Sequence, residues 1–381
     1  MKRRRLVGLA IAMALLLCQG CDDSKDIQNM AYVTGVGIDY VDGKYIAYVQ
    51  VLNFANVAKT ENMELGKEVP VWIGIGEGET VTGALTDMNT TSQLRMFWGH
   101  LKVVFLSENL LKKGVTDIYN GLNRYREIRY NLFVYGTKEN MMDMLQVQSL
   151  FNMSPLESIA YSGAQVNTQR SFILPEIGNR FIAGLNEPGN PTPLPSVSIS
   201  RKKWSEDDTK KPLFELTGAY FFEKDKMKNW MSAEDLIGIQ WSQENLDRTM
   251  IRLPKKEAAI AVLMLYHPQF HVSPVILGDR AVFDLTVNIE GELTELLENM
   301  PLKEIVQMGN SAIREEIQFT FEKGLEKECD PFKLSQALYR VDPKLFYKLK
   351  ETRGFFLNKE SIRNINVKLN MTGTGKYKGR I

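Results

Sequence analysis

Cysteine and histidine are almost missing from this 381-residue chain. Cys18, Cys21 and Cys329 are its thiols, and His100, His267 and His271 its imidazoles. So few thiols, two of them crowded at the N-terminus, cannot build a disulfide framework. His267 and His271 have helical spacing, but Pro268 and Pro274 break the segment and no glutamate lies between them, so the metalloprotease pattern is not met. A Gly-x-Ser-x-Gly nucleophile turn is lacking too. The glycine-rich stretch 74–80 has no Lys-Ser/Thr pair to neutralise a phosphate, and Glu77 and Glu79 would repel one. The same signals are missing at 373–376. Glu315, Glu316, Glu326 and Glu328 read as solvated helix or loop charges, since carboxylates do glycosidase chemistry only when they converge in a cleft. No catalytic residue, metal ligand or cofactor is therefore expected, and no ligand-binding residue can be named.

An excess of charge of one sign is also absent. The chain holds 47 basic and 46 acidic residues. Taking Lys2, Arg3, Arg4 and Arg5 away leaves 43 basic against the same 46, so the body has no basic field of the kind nucleic acid needs. Beyond the N-terminus no stretch approaches the about eighteen uninterrupted apolar residues of a membrane span.

What the chain does have is a leader. Lys2 and Arg3–Arg5 are followed by an apolar run over 6–17, then Cys18-Gln19-Gly20-Cys21. A basic start, a short greasy core and a small residue at its end form a secretory signal. Twelve apolar residues are too few for a ~30 Å hydrocarbon core. Gly20 before Cys21 points to cleavage between them and a lipid on the Cys21 sulfur, although Cys18 stands where such leaders usually carry Leu. An ordinary signal peptide or an uncleaved anchor, with Cys21 incidental, is the alternative. A diacylglycerol with a further acyl chain would hold the body stably at a bilayer, where one chain holds only marginally.

The remaining pattern mixes strands and helices. An Asp42-Gly43 turn between β-rich runs at 31–39 and 45–54 predicts a hairpin. A strand is expected over 100–106, with Ser107 capping the helix after it. Residues 175–200 are rich in proline and read as a loop or extended crossing, and 201–211 as a charged linker. Residues 280–290 alternate apolar Ala281, Phe283, Leu285, Val287 and Ile289 with mostly polar residues, as in a half-solvated strand. Ile305, Met308, Ile313, Ile317 and Phe321 recur along a long helix over 301–327, and 365–371 closes with a strand. Segment 267–274 reads as punctuation. These breaks divide the chain into a signal peptide at 1–20 and an α+β ectodomain of three domains at 21–200, 201–266 and 267–381. Each is expected to be a mixed or antiparallel sheet with packed helices. Cys329 is expected to be a buried or semi-buried thiol.

Several blocks carry a family resemblance in order. They are Cys21-Asp22 with Asp26-Ile27, then Gly35-Val36-Gly37-Ile38-Asp39, then Gly99-His100-Leu101-Lys102-Val103-Val104-Phe105 with 110–114. Arg124-Tyr125-Arg126-Glu127-Ile128-Arg129 follows, then Leu216-Thr217-Gly218-Ala219-Tyr220-Phe221-Phe222 and Asp225-Lys226-Met227. Together they resemble the C-subunit lipoproteins of bacterial spore nutrient-germinant receptors, the Ger(x)C family. The resemblance implies three α+β domains, a lipid anchor at Cys21 and a place on the outer face of the spore inner membrane. It also implies a multi-spanning A-type and a transporter-like B-type membrane subunit as partners, and no enzymatic activity.

Two other classes compete with an assembly or signalling subunit. A solute-binding lipoprotein capturing the nutrient itself requires a deep cleft with convergent polar groups. An exported hydrolase requires a converging nucleophile and base, or a metal. The block 100–105 is expected to be a core strand, with His100 hydrogen-bonded to a neighbour such as Glu127.

Overall fold

The computed structural model describes residues 30–52, 70–162 without 123 and 130, and 175–373 without 245 and 255–257. Gly20, Cys21 and the whole leader lie outside the described residues.

The chain opens with β1 (Met30–Val41) and β2 (Lys44–Leu52), antiparallel and joined at Val41 and Lys44. Asp42 and Gly43 both take positive φ, 49° and 85°, as the two-residue turn requires. β3 (Trp72–Gly78) pairs with β2, and α1 (Val81–Asp87) follows, capped by the Thr80 hydroxyl accepting the Gly83 N–H. β4 (Arg95–Phe97) lies parallel to the first residues of β1. β5 (Val103–Ser107) is buried throughout and parallel to β1, and the Ser107 hydroxyl caps α2 (Glu108–Lys113), as the sequence predicts. α3 (Thr116–Leu122) leads to β6 (Phe133–Thr137), parallel to β5, and then to α4 (Met141–Gln146).

Segment 175–200, read as a loop or an extended crossing, runs extended at its end but is regular structure over much of its length. It holds β7 (Glu176–Ile177), α5 (Gly178–Asn186) and the start of β8 (Leu194–Glu206). Its prolines cluster after the helix, and Phe181 and Ile182 give α5 an apolar face that composition alone conceals. The charged piece 201–211 belongs to a ribbon of β8 with β9 (Thr209–Glu223). The ribbon's tip runs past the core into solvent, so its side chains have the polarity of a linker. β10 (Lys226–Ser232) completes the sheet, whose order is β10-β9-β8-β6-β5-β1-β2-β3.

A second sheet, in order, consists of β11 (Arg248–Leu253), β12 (Ala261–Leu277), β13 (Arg280–Leu296) and β14 (Ile362–Gly373). β13 and β14 are parallel. The chain crosses between them through α6 (Leu302–Glu326), α7 (Leu334–Val341) and α8 (Pro343–Arg353). Phe283, Leu285, Val287 and Ile289 turn inward from β13 onto Ile305, Ile313, Ile317 and Phe321 of α6. The expected punctuation at 267–274 lies inside β12: His267 takes φ 44° and the pairing slips between Tyr266 and Gln269, a bulge that absorbs Pro268.

The architecture is α+β, with helices packed on mixed sheets. The described strands form two sheets. Positions 200/201 and 266/267 fall within β8 and β12, and the strands of 201–266 are shared out, β9 and β10 to the first sheet and β11 to the second. The sheets meet where Phe221, Met231, Leu236, Ile239 and Cys329 form a small core. Polar ties flank it: Asn229 Nδ2 donates to the Lys327 carbonyl at 2.8 Å, and Lys327 Nζ lies 2.8 Å from Asp235 Oδ2.

Candidate functional site

The largest concavity among the described pockets lies between the two sheets, with a volume of about 710 Å³. One wall comes from β7, α5 and the entry to β8: Glu176, Arg180, Asn190 and Thr192. The other comes from β12 and α7, with Phe270, His271, Lys333 and Arg340. The second wall is fixed locally. The buried Asp330 carboxylate accepts the N–H groups of Leu334 at 3.0 Å and Ser335 at 2.7 Å, fixing the first turn of α7. Lys333 takes φ 57° to allow this, and Phe332 stacks on Phe270 with ring centres 5.6 Å apart. An ion pair of 2.8 Å between Arg340 Nη2 and Glu187 Oε1 joins the two walls.

Burial and charge oppose each other in the cleft. Burial pushes the Glu176 carboxyl above the usual carboxylate range, against the Ile177 N–H and the cations Lys333 and Arg180. At Glu187 burial also disfavours the ion, but hydrogen bonds from Arg340 and Gln336 outweigh it and hold the carboxyl below the usual range. Thr192 has φ 34°, a conformation costing a β-branched residue about 1–3 kcal/mol. Its buried hydroxyl has no hydrogen-bond partner among the described residues. Mixed charges and an unsatisfied hydroxyl suit a small polar solute; among the described residues of the lining, the Thr192 and Ser242 hydroxyls are not hydrogen-bonded to a histidine or carboxylate. Nor do the described residues hold a group of three His, Cys, Asp or Glu able to bind a metal ion.

His271 lines the cleft, and the other candidate residues singled out from the sequence lie elsewhere. Gly20 and Cys21 are outside the described residues. Val103–Leu106 form core strand, as expected, while half-buried His100 lies before it with its ring against Tyr32 at 5.2 Å and Phe97 at 5.7 Å. Glu127 Oε2 accepts the Trp98 N–H at 3.1 Å. Cys329 is buried, and burial pushes its thiol up to about 12. Glu316 is a correction: it is 5 % exposed and accepts from Trp241 Nε1 at 2.6 Å and Gln240 Nε2 at 3.0 Å. It sits on the inner face of α6 beside Ala312 and Thr320, a placement that the adjacent Glu315 disguises in the sequence. The cleft itself escaped the sequence reading because Glu176 and Arg180 lie far along the chain from Lys333 and Arg340. No helix of the described residues is long and apolar enough to cross a membrane.

Residues 23–199 match the family described as spore germination protein N-terminal domain, and residues 217–375 match spore germination B3/GerAC-like, C-terminal. Among curated proteins, the chain is 22% identical to spore germination protein KC of Bacillus subtilis (strain 168) over 372 residues, covering 92% of this chain and 91% of that one. It is 22% identical to spore germination protein B3 of the same organism over 303 residues, 77% of this chain and 76% of the other. Of solved structures, the crystal structure of the GerBC protein aligns with a TM-score of 0.49 at 16% identity, covering 92% of this chain and 99% of that one. The two family segments take in most of the sequence, and the chain belongs to the Ger(x)C family, the C subunits of spore germinant receptors.

Proposed function

We propose that the protein is a lipid-anchored, non-enzymatic subunit of a spore germinant receptor, supporting assembly or signalling of the nutrient-sensing complex. In this reading cleavage after Gly20 exposes Cys21. A diacylglycerol on its sulfur then holds the body on the outer face of the spore inner membrane, beside A-type and B-type membrane subunits. The observation that carries it is a leader ending at Gly20-Cys21 on a chain that matches the family in both halves. Tethering raises the local concentration of such a body beside its partners, so modest contact affinity suffices. The test is labelled fatty acid supplied during sporulation, with the Cys21→Ala form as comparison. Label in the wild type alone, with loss of the variant from the membrane fraction and of nutrient germination, is expected. An unlabelled wild type, or a variant equally membrane-bound and active, overturns the reading.

The cleft favours a second reading, direct capture of the nutrient by this subunit. Its charged walls, with Glu176, Arg180 and Lys333, would orient a small polar solute. Calorimetry of the mature chain with single amino acids and sugars decides between the two: saturable heat lost in Arg180→Ala supports capture, and no heat with any of them leaves the subunit to assembly.

A further inference from the structure

β1, β5 and β6 run parallel, so their N-terminal ends share one edge of the first sheet. Arg95 on β4 pairs with Met30 at the start of β1. Lys102 precedes β5, its N–H donating to the Thr34 carbonyl at 2.9 Å, and its own carbonyl accepts the Phe133 N–H at 2.8 Å as β6 begins. Arg124, Arg126 and Arg129 lie on the segment leading into β6. All five cations are exposed. None of them forms an ion pair with another described residue, whereas Lys44, Lys112, Lys113, Arg201, Lys203 and Arg363 elsewhere do. Glu127 is the acidic residue among them.

The edge is also shaped. Trp98 and Tyr125 pack with ring centres 4.6 Å apart and, with Arg95, Arg124 and Arg126, line a hollow of about 520 Å³. Arginines around a concave, aromatic-backed surface suit phosphate, because the planar guanidinium donates in pairs to its oxygens. Five exposed cations without an ion pair to a described residue thus share one edge of a body whose total charge is near zero.

The geometry points to this edge as the face that rests on anionic phospholipid headgroups. The inference rests on the Cys21 anchor for its occupant. Cys21 and Met30 are nine positions apart, and an extended chain spans at most about 3.6 Å per residue, so Met30 stays within roughly 32 Å of the bilayer surface. Arg95, as the pairing partner of Met30, is held there with it. The tether carries Asp22, Asp23 and Asp26 against Lys25, so attraction to an anionic surface has to come from the folded body. Surface cations add to such attraction individually and lose it with salt.

The test uses the mature chain from residue 21 with Cys21→Ser, sedimented with vesicles of phosphatidylglycerol and phosphatidylcholine or of phosphatidylcholine alone. Binding to the anionic vesicles only, weakening with added salt, is expected. Arg124→Glu with Arg126→Glu should lower it at least about tenfold, and Lys202→Glu with Lys210→Glu at the ribbon tip should leave it unchanged, all forms melting alike. Equal binding to both vesicles, or by the arginine variant, overturns the inference. So does binding confined to vesicles carrying the receptor's membrane subunits, which would make a protein the occupant. Fatty-acid labelling reads the anchor separately: vesicle binding without label sinks the anchor alone, and label without vesicle binding sinks this inference alone.

Discussion

The indole N–H of Trp241 donates to a carboxylate oxygen of Glu316 at 2.6 Å, with both side chains buried. Gln240 Nε2 shares the same oxygen at 3.0 Å, and Gln240 Oε1 in turn accepts the Thr249 hydroxyl at 2.9 Å. One glutamate thereby ties α6 to the turn Ile237–Ser242 and, through it, to β11.

Glu316→Ala is expected to destabilise the protein by roughly 2–3 kcal/mol, because an indole and an amide donor are left dry and unpaired. Trp241→Phe, which removes the donor and keeps most of the ring, should cost less. Urea unfolding followed by circular dichroism measures both. An unchanged midpoint for Glu316→Ala would contradict the account.

Gly35 carries a similar constraint by size. A Cβ there would lie 2.6 Å from the Tyr161 hydroxyl, which donates to Gln50 Oε1 at 2.8 Å. Thr34 Oγ1 donates to the same atom at 2.7 Å, and Gln50 Nε2 donates to the Leu145 carbonyl at 2.6 Å. Gly35→Ala should lose about 1–3 kcal/mol through overpacking. Adding Tyr161→Phe should recover part of it by removing the clashing oxygen. Thermal melts of the single and double variants check this, and strictly additive losses would sink it.

Cys329 should resist alkylation in the folded protein. Burial pushes its thiol up to about 12, so thiolate is scarce near pH 8, and the sulfur is hidden as well. Mass spectrometry after native iodoacetamide treatment should find it unmodified, and modified rapidly once urea unfolds the chain. Fast native labelling would mean that the small core between the sheets is open.

Acid should act on the cleft in two directions. Glu176 has its folded pKa raised, so the stability it contributes is complete below the unfolded value and is lost as pH rises through the folded one. Glu187 has its folded pKa lowered, so its contribution is present above the unfolded value and is lost as pH falls through the folded one. Glu176→Gln should therefore flatten the loss of stability just above the usual glutamate range, and Glu187→Gln should flatten the loss below it. Melting temperatures across that window test the pair; the opposite assignment of slopes refutes it.

The elements most legible in the sequence were those whose information is local. Asp42-Gly43 needs only its own φ angles, Ser107 only the next turn, and the alternation from Ala281 to Ile289 only one buried face. What stayed hidden depends on distant partners. Residues 201–211 look like a linker because the β8–β9 ribbon outruns its core, and His267-Pro268 look like a break because a bulge conceals the strand. Glu316 looks solvated until Trp241 is placed above α6. The cleft needs Arg180 and Arg340 brought together by the meeting of two sheets, which no spacing along the chain encodes.

The β8–β9 ribbon has a consequence for inheritance. The two family segments end at residue 199 and resume at 217, inside strands that hydrogen-bond to each other. A chimera joined in that interval would put paired strands from different parents side by side, and either half made alone would present a bare sheet edge ready to stick to its neighbours. Recombination between relatives should succeed only where both arms travel in one piece, so the halves are bound to evolve as a couple.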